Sequence, residues 1–109
     1  IYAGWSNPCF EIWLFAYFCM MPVIQDSWTC CSKFAELYFR KTGNEYTKAD
    51  KNVYMRLCEY GNEERALVIA EQKYQQCMRD GKTHPSTMCP ATRVYELVRE
   101  IKSKVSQHV

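Results

Sequence analysis

The chain has 109 residues, with 14 Lys and Arg against 12 Asp and Glu for a formal net charge of +2, and 15% of its residues are aromatic. That length suits one domain, residues 1–109, with a single core. The nearly balanced, interleaved charges provide no strong field for nucleic acid or anionic lipid.

Helical punctuation divides the chain. Asn7 and Pro8 offer a cap followed by proline at the first helical position, and Pro22 is a stop, which predicts a first helix from Pro8 to about Met21. Its residues Phe10, Ile12, Trp13, Leu14, Phe15, Tyr17 and Phe18 surround the axis and leave Glu11 as the polar exception, so central burial is expected. The apolar run Phe10 to Ile24 contains Glu11 and is broken by Pro22. It falls short of the roughly twenty apolar residues of a membrane span. It also lacks the basic region and small-residue cleavage site of a signal peptide, so an exported chain is expected to have lost its signal ahead of Ile1.

Ser27 is the expected cap of a second helix that runs to Lys41 and stops at Gly43, with Trp28, Cys31, Phe34, Ala35 and Tyr38 at helical spacing. Thr47 with Asp50 reads as a capping box for a third helix that ends at Tyr60 before Gly61, with Val53, Leu57 and Tyr60 inward. Asn62 caps a fourth, whose first turn carries Glu63 and Glu64 and whose end is marked by Asp80 and Gly81. Its inward stripe is Leu67, Ala70, Tyr74 and Cys77. After a loop at Lys82 to Met88 that contains Pro85, Pro90 starts a fifth helix with the stripe Val94, Leu97, Val98, Ile101 and Val105. No alternating β-branched segment stands out, so the fold class is all-α, a disulfide-stapled bundle of about five helices.

The seven cysteines are arranged in two similar halves, at about 8–42 and 58–107. Cys9, Tyr17 and Cys19 precede the pair Cys30 and Cys31, and Cys58, Tyr74 and Cys77 precede Cys89. Small cysteine-rich chains belong to oxidising compartments, which predicts a secreted, extracellular protein. An internal two-fold repeat of helical hairpins follows, with local bridges from Cys19 to Cys30 or Cys31 and from Cys77 to Cys89, and Cys9 left to pair with Cys58. The odd count leaves one of Cys30 and Cys31 as a spare thiol, which, like the apolar first helix, offers a route to a homodimer.

No metal is expected, because Cys-x-x-Cys spacing is missing and the histidines are limited to His84 and His108. His84, five residues before Cys89, is a weak nucleophile-base pair beside the structural use of that cysteine. Neither a phosphate-cradling glycine loop nor a nucleophile elbow is present, so the chain is expected to be no enzyme and to carry no cofactor or catalytic residue. Tyr17 and Tyr74 are expected to pack their rings in the core while each hydroxyl reaches a polar partner. Trp5, Tyr38, Tyr46 and Tyr95 are the candidate recognition aromatics.

The two Cys, Tyr, Cys arrangements, Cys9, Tyr17, Cys19 and Cys58, Tyr74, Cys77, resemble those of the aphid bicycle family of secreted salivary effectors. That resemblance implies an effector that acts in a host plant by binding a host macromolecule, with the repeated residues as framework. Cys9-x9-Cys19, the Cys30-Cys31 pair and "HPSTMC" at His84 to Cys89 are similar to the plant nonspecific lipid-transfer proteins, with Cys58 alone where Cys-x-Cys stands in that family. The second resemblance implies a carrier of a small hydrophobic ligand or lipid, with a cavity expected among Leu14, Phe18, Leu67 and Val98.

Overall fold

The computed structural model describes residues 5–82, 84 and 87–107. Five helices carry the described chain: α1 (Glu11–Phe15), α2 (Ser27–Thr42), α3 (Val53–Tyr60), α4 (Glu63–Arg79) and α5 (Val94–Gln107). A two-stranded antiparallel sheet joins β1 (Ser6–Asn7) to β2 (Ala91–Thr92), with Ser6 opposite Thr92 and Asn7 opposite Ala91. The fold is therefore mostly helical, as the punctuation predicts. Thr83, Pro85 and Ser86 of the expected loop, and His108, lie outside the described residues.

α1 is the hub, packed against α2, α4 and both strands. Ile12 to Phe18 are all buried, because an element that is apolar all round has no face to offer water. The helix is shorter than predicted. After Phe15 the backbone tightens into turns, with Ala16, Tyr17 and Phe18 each donating to the carbonyl three residues back.

Caps explain the other boundaries. Asp26, one residue before the predicted Ser27, accepts from the Thr29 N–H at 2.7 Å, and Gly43 closes α2 in the left-handed region at φ 74°. Asn62 accepts from the Arg65 N–H at 3.0 Å and starts α4 as predicted. Asp50 accepts from the Asn52 N–H at 2.9 Å, so α3 begins at Val53 rather than beside Thr47. Pro90 leads into β2, which postpones α5 to Val94.

Phe34 of α2 is the centre of the main core, with the rings of Phe15, Phe18, Tyr38 and Tyr46 at 4.9 to 6.4 Å between centroids. A smaller core joins Cys77, Met88 and Ala91 beneath Trp5 and Tyr74. Three predicted stripes are only partly right, and Tyr60 of α3, expected inward, is exposed at the end of its helix. Trp28 at the start of α2 and Leu97, Ile101 and Val105 of α5 are exposed, because neither element has a neighbour over those positions.

The expected disulfide staples are absent: all seven cysteines are free thiols. The hairpin geometry fails because α1 ends early and Cys19 follows in an irregular segment, while Cys9 lies against Cys31 at 3.7 Å instead of near Cys58.

Candidate functional site

A half-open groove of about 420 Å³ lies between α1, α3, α5 and the segment before α3. Trp13, Leu14 and Tyr17 form its floor, Val53, Tyr54 and Leu57 come from α3, and Val94 and Val98 come from α5. Leu14 and Val98 are thus where the carrier expectation puts them. Phe18 and Leu67 are instead consumed by the packed core. Apolar walls with a few convergent polar groups are the usual make-up of a small-molecule site, and the volume falls within the normal range for one.

Two carboxylate networks border this groove. The first is built on Glu11, whose side chain is 1% exposed. The Tyr46 hydroxyl donates to Oε2 at 2.7 Å, the Cys31 thiol donates to Oε1 at 3.3 Å, and Lys48 Nζ stands 3.5 Å from Oε2. Burial pushes the Glu11 carboxyl upward, but hydrogen bonds from Tyr46, its own backbone N–H, Cys31 and Cys9 outweigh it and hold the group below the usual carboxylate range. Burial, and after it the same carboxylate, push the Tyr46 phenol up.

The second network converges on Glu63 in the first turn of α4. Tyr17 and Tyr54 both donate to Oε2, at 2.8 and 2.7 Å, and Lys102 of α5 reaches Oε1 at 3.1 Å. Lys102 also bonds Glu64 at 2.6 Å. Burial raises Glu63, and the donations from Tyr54, Tyr17 and Lys102 overcome it and leave the group lowered.

Three of the seven cysteines gather around the first network. Cys9, Cys30 and Cys31 adjoin one another, and burial is the leading cause that pushes their thiols to about 12, about 11 and about 12. Cys89 donates to the Ile24 carbonyl at 3.4 Å, not to His84, so the nucleophile-base pair is not assembled. Cys58 is exposed, 3.9 Å from Glu63 Oε2, while Cys77 is buried in the smaller core and Cys19 is half-buried.

The motif tyrosines differ. Tyr17 fills the core and reaches Glu63, as packing predicts, whereas Tyr74 is half-buried with the Arg93 guanidinium 5.0 Å above its ring. Tyr38 and Tyr95 are buried and Trp5 and Tyr46 half-buried, so the exposed aromatics are instead Trp28, Phe39, Tyr54, Tyr60 and Phe10, the last expected to be buried with the rest of the first helix. Sequence reasoning placed Glu11 only as a polar interruption; its signal was a lone carboxylate inside an otherwise apolar run.

No curated protein and no solved structure matches the chain. The profile of the family described as RloB-like protein matches residues 1–101, nearly the whole length, and the chain belongs to that RloB-like family.

Proposed function

We propose that this chain is a non-enzymatic binding protein whose groove takes a small, mainly apolar ligand with a polar group. The groove itself carries the reading: its walls are Trp13, Leu14, Val53, Leu57, Val94 and Val98, and its polar border is Glu11, Tyr46, Lys48, Asp50, Lys51 and Tyr54. Apolar burial supplies affinity and the few polar groups supply orientation.

The test uses 1-anilinonaphthalene-8-sulfonate as the probe. One equivalent is expected to bind with enhanced emission, and Val98→Trp, which fills the groove from α5, is expected to weaken it by at least about tenfold because the indole takes the volume the probe would occupy. Probe binding that is unchanged in a folded Val98→Trp protein sinks the reading.

A second reading is a secreted effector that docks on a host macromolecule, supported by an exposed apolar face on α2. Trp28 and Phe39 are 78% and 59% exposed, and with Ser32 and Ala35 between them they follow one helical stripe. The resemblance to bicycle effectors favours this alternative. Trp28→Ala with Phe39→Ala is then expected to abolish capture of a host protein while leaving probe binding intact; the reverse pattern supports the groove.

A further inference from the structure

Two thiols and a buried carboxylate meet at the start of α1. Cys9 and Glu11 come from one segment and Cys31 from the first turns of α2, so no short cysteine spacing announces the cluster. One ligand atom from each lies within 4.8 Å of the other two. The Cys9 and Cys31 sulfurs are 3.7 Å apart. Two sulfurs each about 2.3 Å from a tetrahedral ion are separated by roughly 3.8 Å, so this spacing already matches one edge of a zinc coordination tetrahedron. The Cys31 sulfur to Glu11 Oε1 distance, 3.3 Å, is slightly shorter than the mixed sulfur-oxygen edge of about 3.6 Å, a small adjustment for a side chain on a half-buried position.

The electrostatics favour a cation at the same point. Glu11 is almost wholly buried, yet its nearest cation, Lys48, stands at 3.5 Å on a side chain that is 70% exposed. Hydrogen bonds already hold this buried carboxylate in its charged form, and a divalent ion bound through Oε1 would take the place of the Cys31 S–H donor there. Oε2 would keep its bonds to Tyr46 and Lys48, which then serve as the outer shell that orients the ligand. Two thiolates and one carboxylate against a divalent ion and the Lys48 ammonium close the charge.

We propose that Cys9, Glu11 and Cys31 form a binding site for a thiophilic divalent cation, Zn²⁺ by the chemistry of the donor set, with a water as the fourth ligand. This site adjoins the groove, which Glu11, Tyr46 and Lys48 also line, but the metal is held mainly by Cys9 and Cys31, which lie outside the groove's lining. Binding breaks two S–H bonds and forms two S–metal bonds; the two protons leave to solvent, and no oxidant or reductant is required.

The experiment titrates the reduced chain, kept free of oxygen, first with Co²⁺ and then with Zn²⁺. One equivalent of Co²⁺ is expected to give sulfur-to-metal charge-transfer absorption, Zn²⁺ to displace it, and each Zn²⁺ to release two protons at neutral pH. Cys31→Ser is expected to remove much of the absorption, Glu11→Gln to weaken the affinity with the sulfur band retained, and Tyr46→Phe to weaken Zn²⁺ by about 10- to 100-fold. Cys58→Ser, at an exposed site outside the cluster, serves as the control that changes nothing. The wild-type titration needs no variant to fold: a chain that binds no single equivalent overturns the site. So does an undiminished band in the Cys9→Ser, Cys31→Ser double variant, or a Cys9–Cys31 disulfide that forms in air despite stoichiometric Zn²⁺.

Discussion

At the level of single residues, the acceptor chemistry of Glu63 binds three separate elements to one carboxylate. Tyr17 approaches from the end of α1, Tyr54 from α3 and Lys102 from α5, all within 3.1 Å. Hydrogen bonds to an ionised partner each stabilise by about 1.5–3 kcal/mol net, more than neutral ones. Tyr17 is 2% exposed, so its hydroxyl has no water to fall back on. Tyr17→Phe keeps the ring among Trp13 and its neighbours, at 5.3 Å between centroids, and removes only the oxygen. The expected cost is about 1–3 kcal/mol of stability in urea denaturation at neutral pH. The Glu63 carboxyl should also titrate higher in the variant, because one of the donors that holds it down is gone. An unchanged midpoint would mean that Tyr54 and Lys102 carry the network alone.

At the level of elements, the close seat of the α3–α4 turn on α1 deserves a direct perturbation. Asn62 donates its N–H to the Tyr17 carbonyl at 2.9 Å, and a Cβ placed on Gly61 would stand 2.6 Å from that same oxygen and 2.8 Å from the Leu57 carbonyl. Both obstacles are backbone atoms, which cannot swing aside as a side-chain tip does. Gly61→Ala is therefore expected to cost about 1–3 kcal/mol or more by forced separation of the elements. Asn62→Ala, which removes only a cap, is expected to cost about 1 kcal/mol. Thermal unfolding of the two variants side by side checks the order; a milder Gly61→Ala would show that the turn yields. Gly61 was legible as a helix stop, and so were Gly43, Asn62 and Gly81, because caps and stops are local chemistry. Its close approach to Tyr17 was not, since it depends on residues 44 positions away in the chain. Likewise the end of α1 at Phe15 and the pairing of Ser6 with Thr92 depend on tertiary contacts that override local pattern.

At the level of the whole molecule, the candidate site is assembled from side chains that are distant in sequence, and this is why so little of it was legible. Tyr46 looked like a recognition aromatic and Glu63 like a helix-start acid, and neither reading pointed to the groove that their partners line. Leu14 and Val98 were named as lining only through the lipid-transfer resemblance; Phe18 and Leu67 were claimed by the core. Such ties, long-range at Glu63 and Glu71 and local at Asp50, set how the fold responds to acid. Glu63 is lowered despite burial by Tyr54, Tyr17 and Lys102; Glu71 by Arg99, at 2.8 Å; and Asp50 by the Asn52 N–H and Arg56. Each of these carboxyls binds its proton less tightly in the folded chain than in the unfolded one. The unfolded state therefore takes up more protons as pH falls, and stability must fall with it. Their contribution is fully present above the unfolded carboxylate values, about 4 to 4.5, and is lost as pH drops through the lower folded values. Urea midpoints measured from pH 7 to pH 2 are expected to hold level down to about pH 5 and then decline. Glu63→Gln should begin with a lower midpoint at pH 7 and show a shallower acid decline, because the variant no longer has that proton to bind. Curves that stay parallel throughout the acid range would remove Glu63 from the set of groups that couple α1, α3 and α5 to pH.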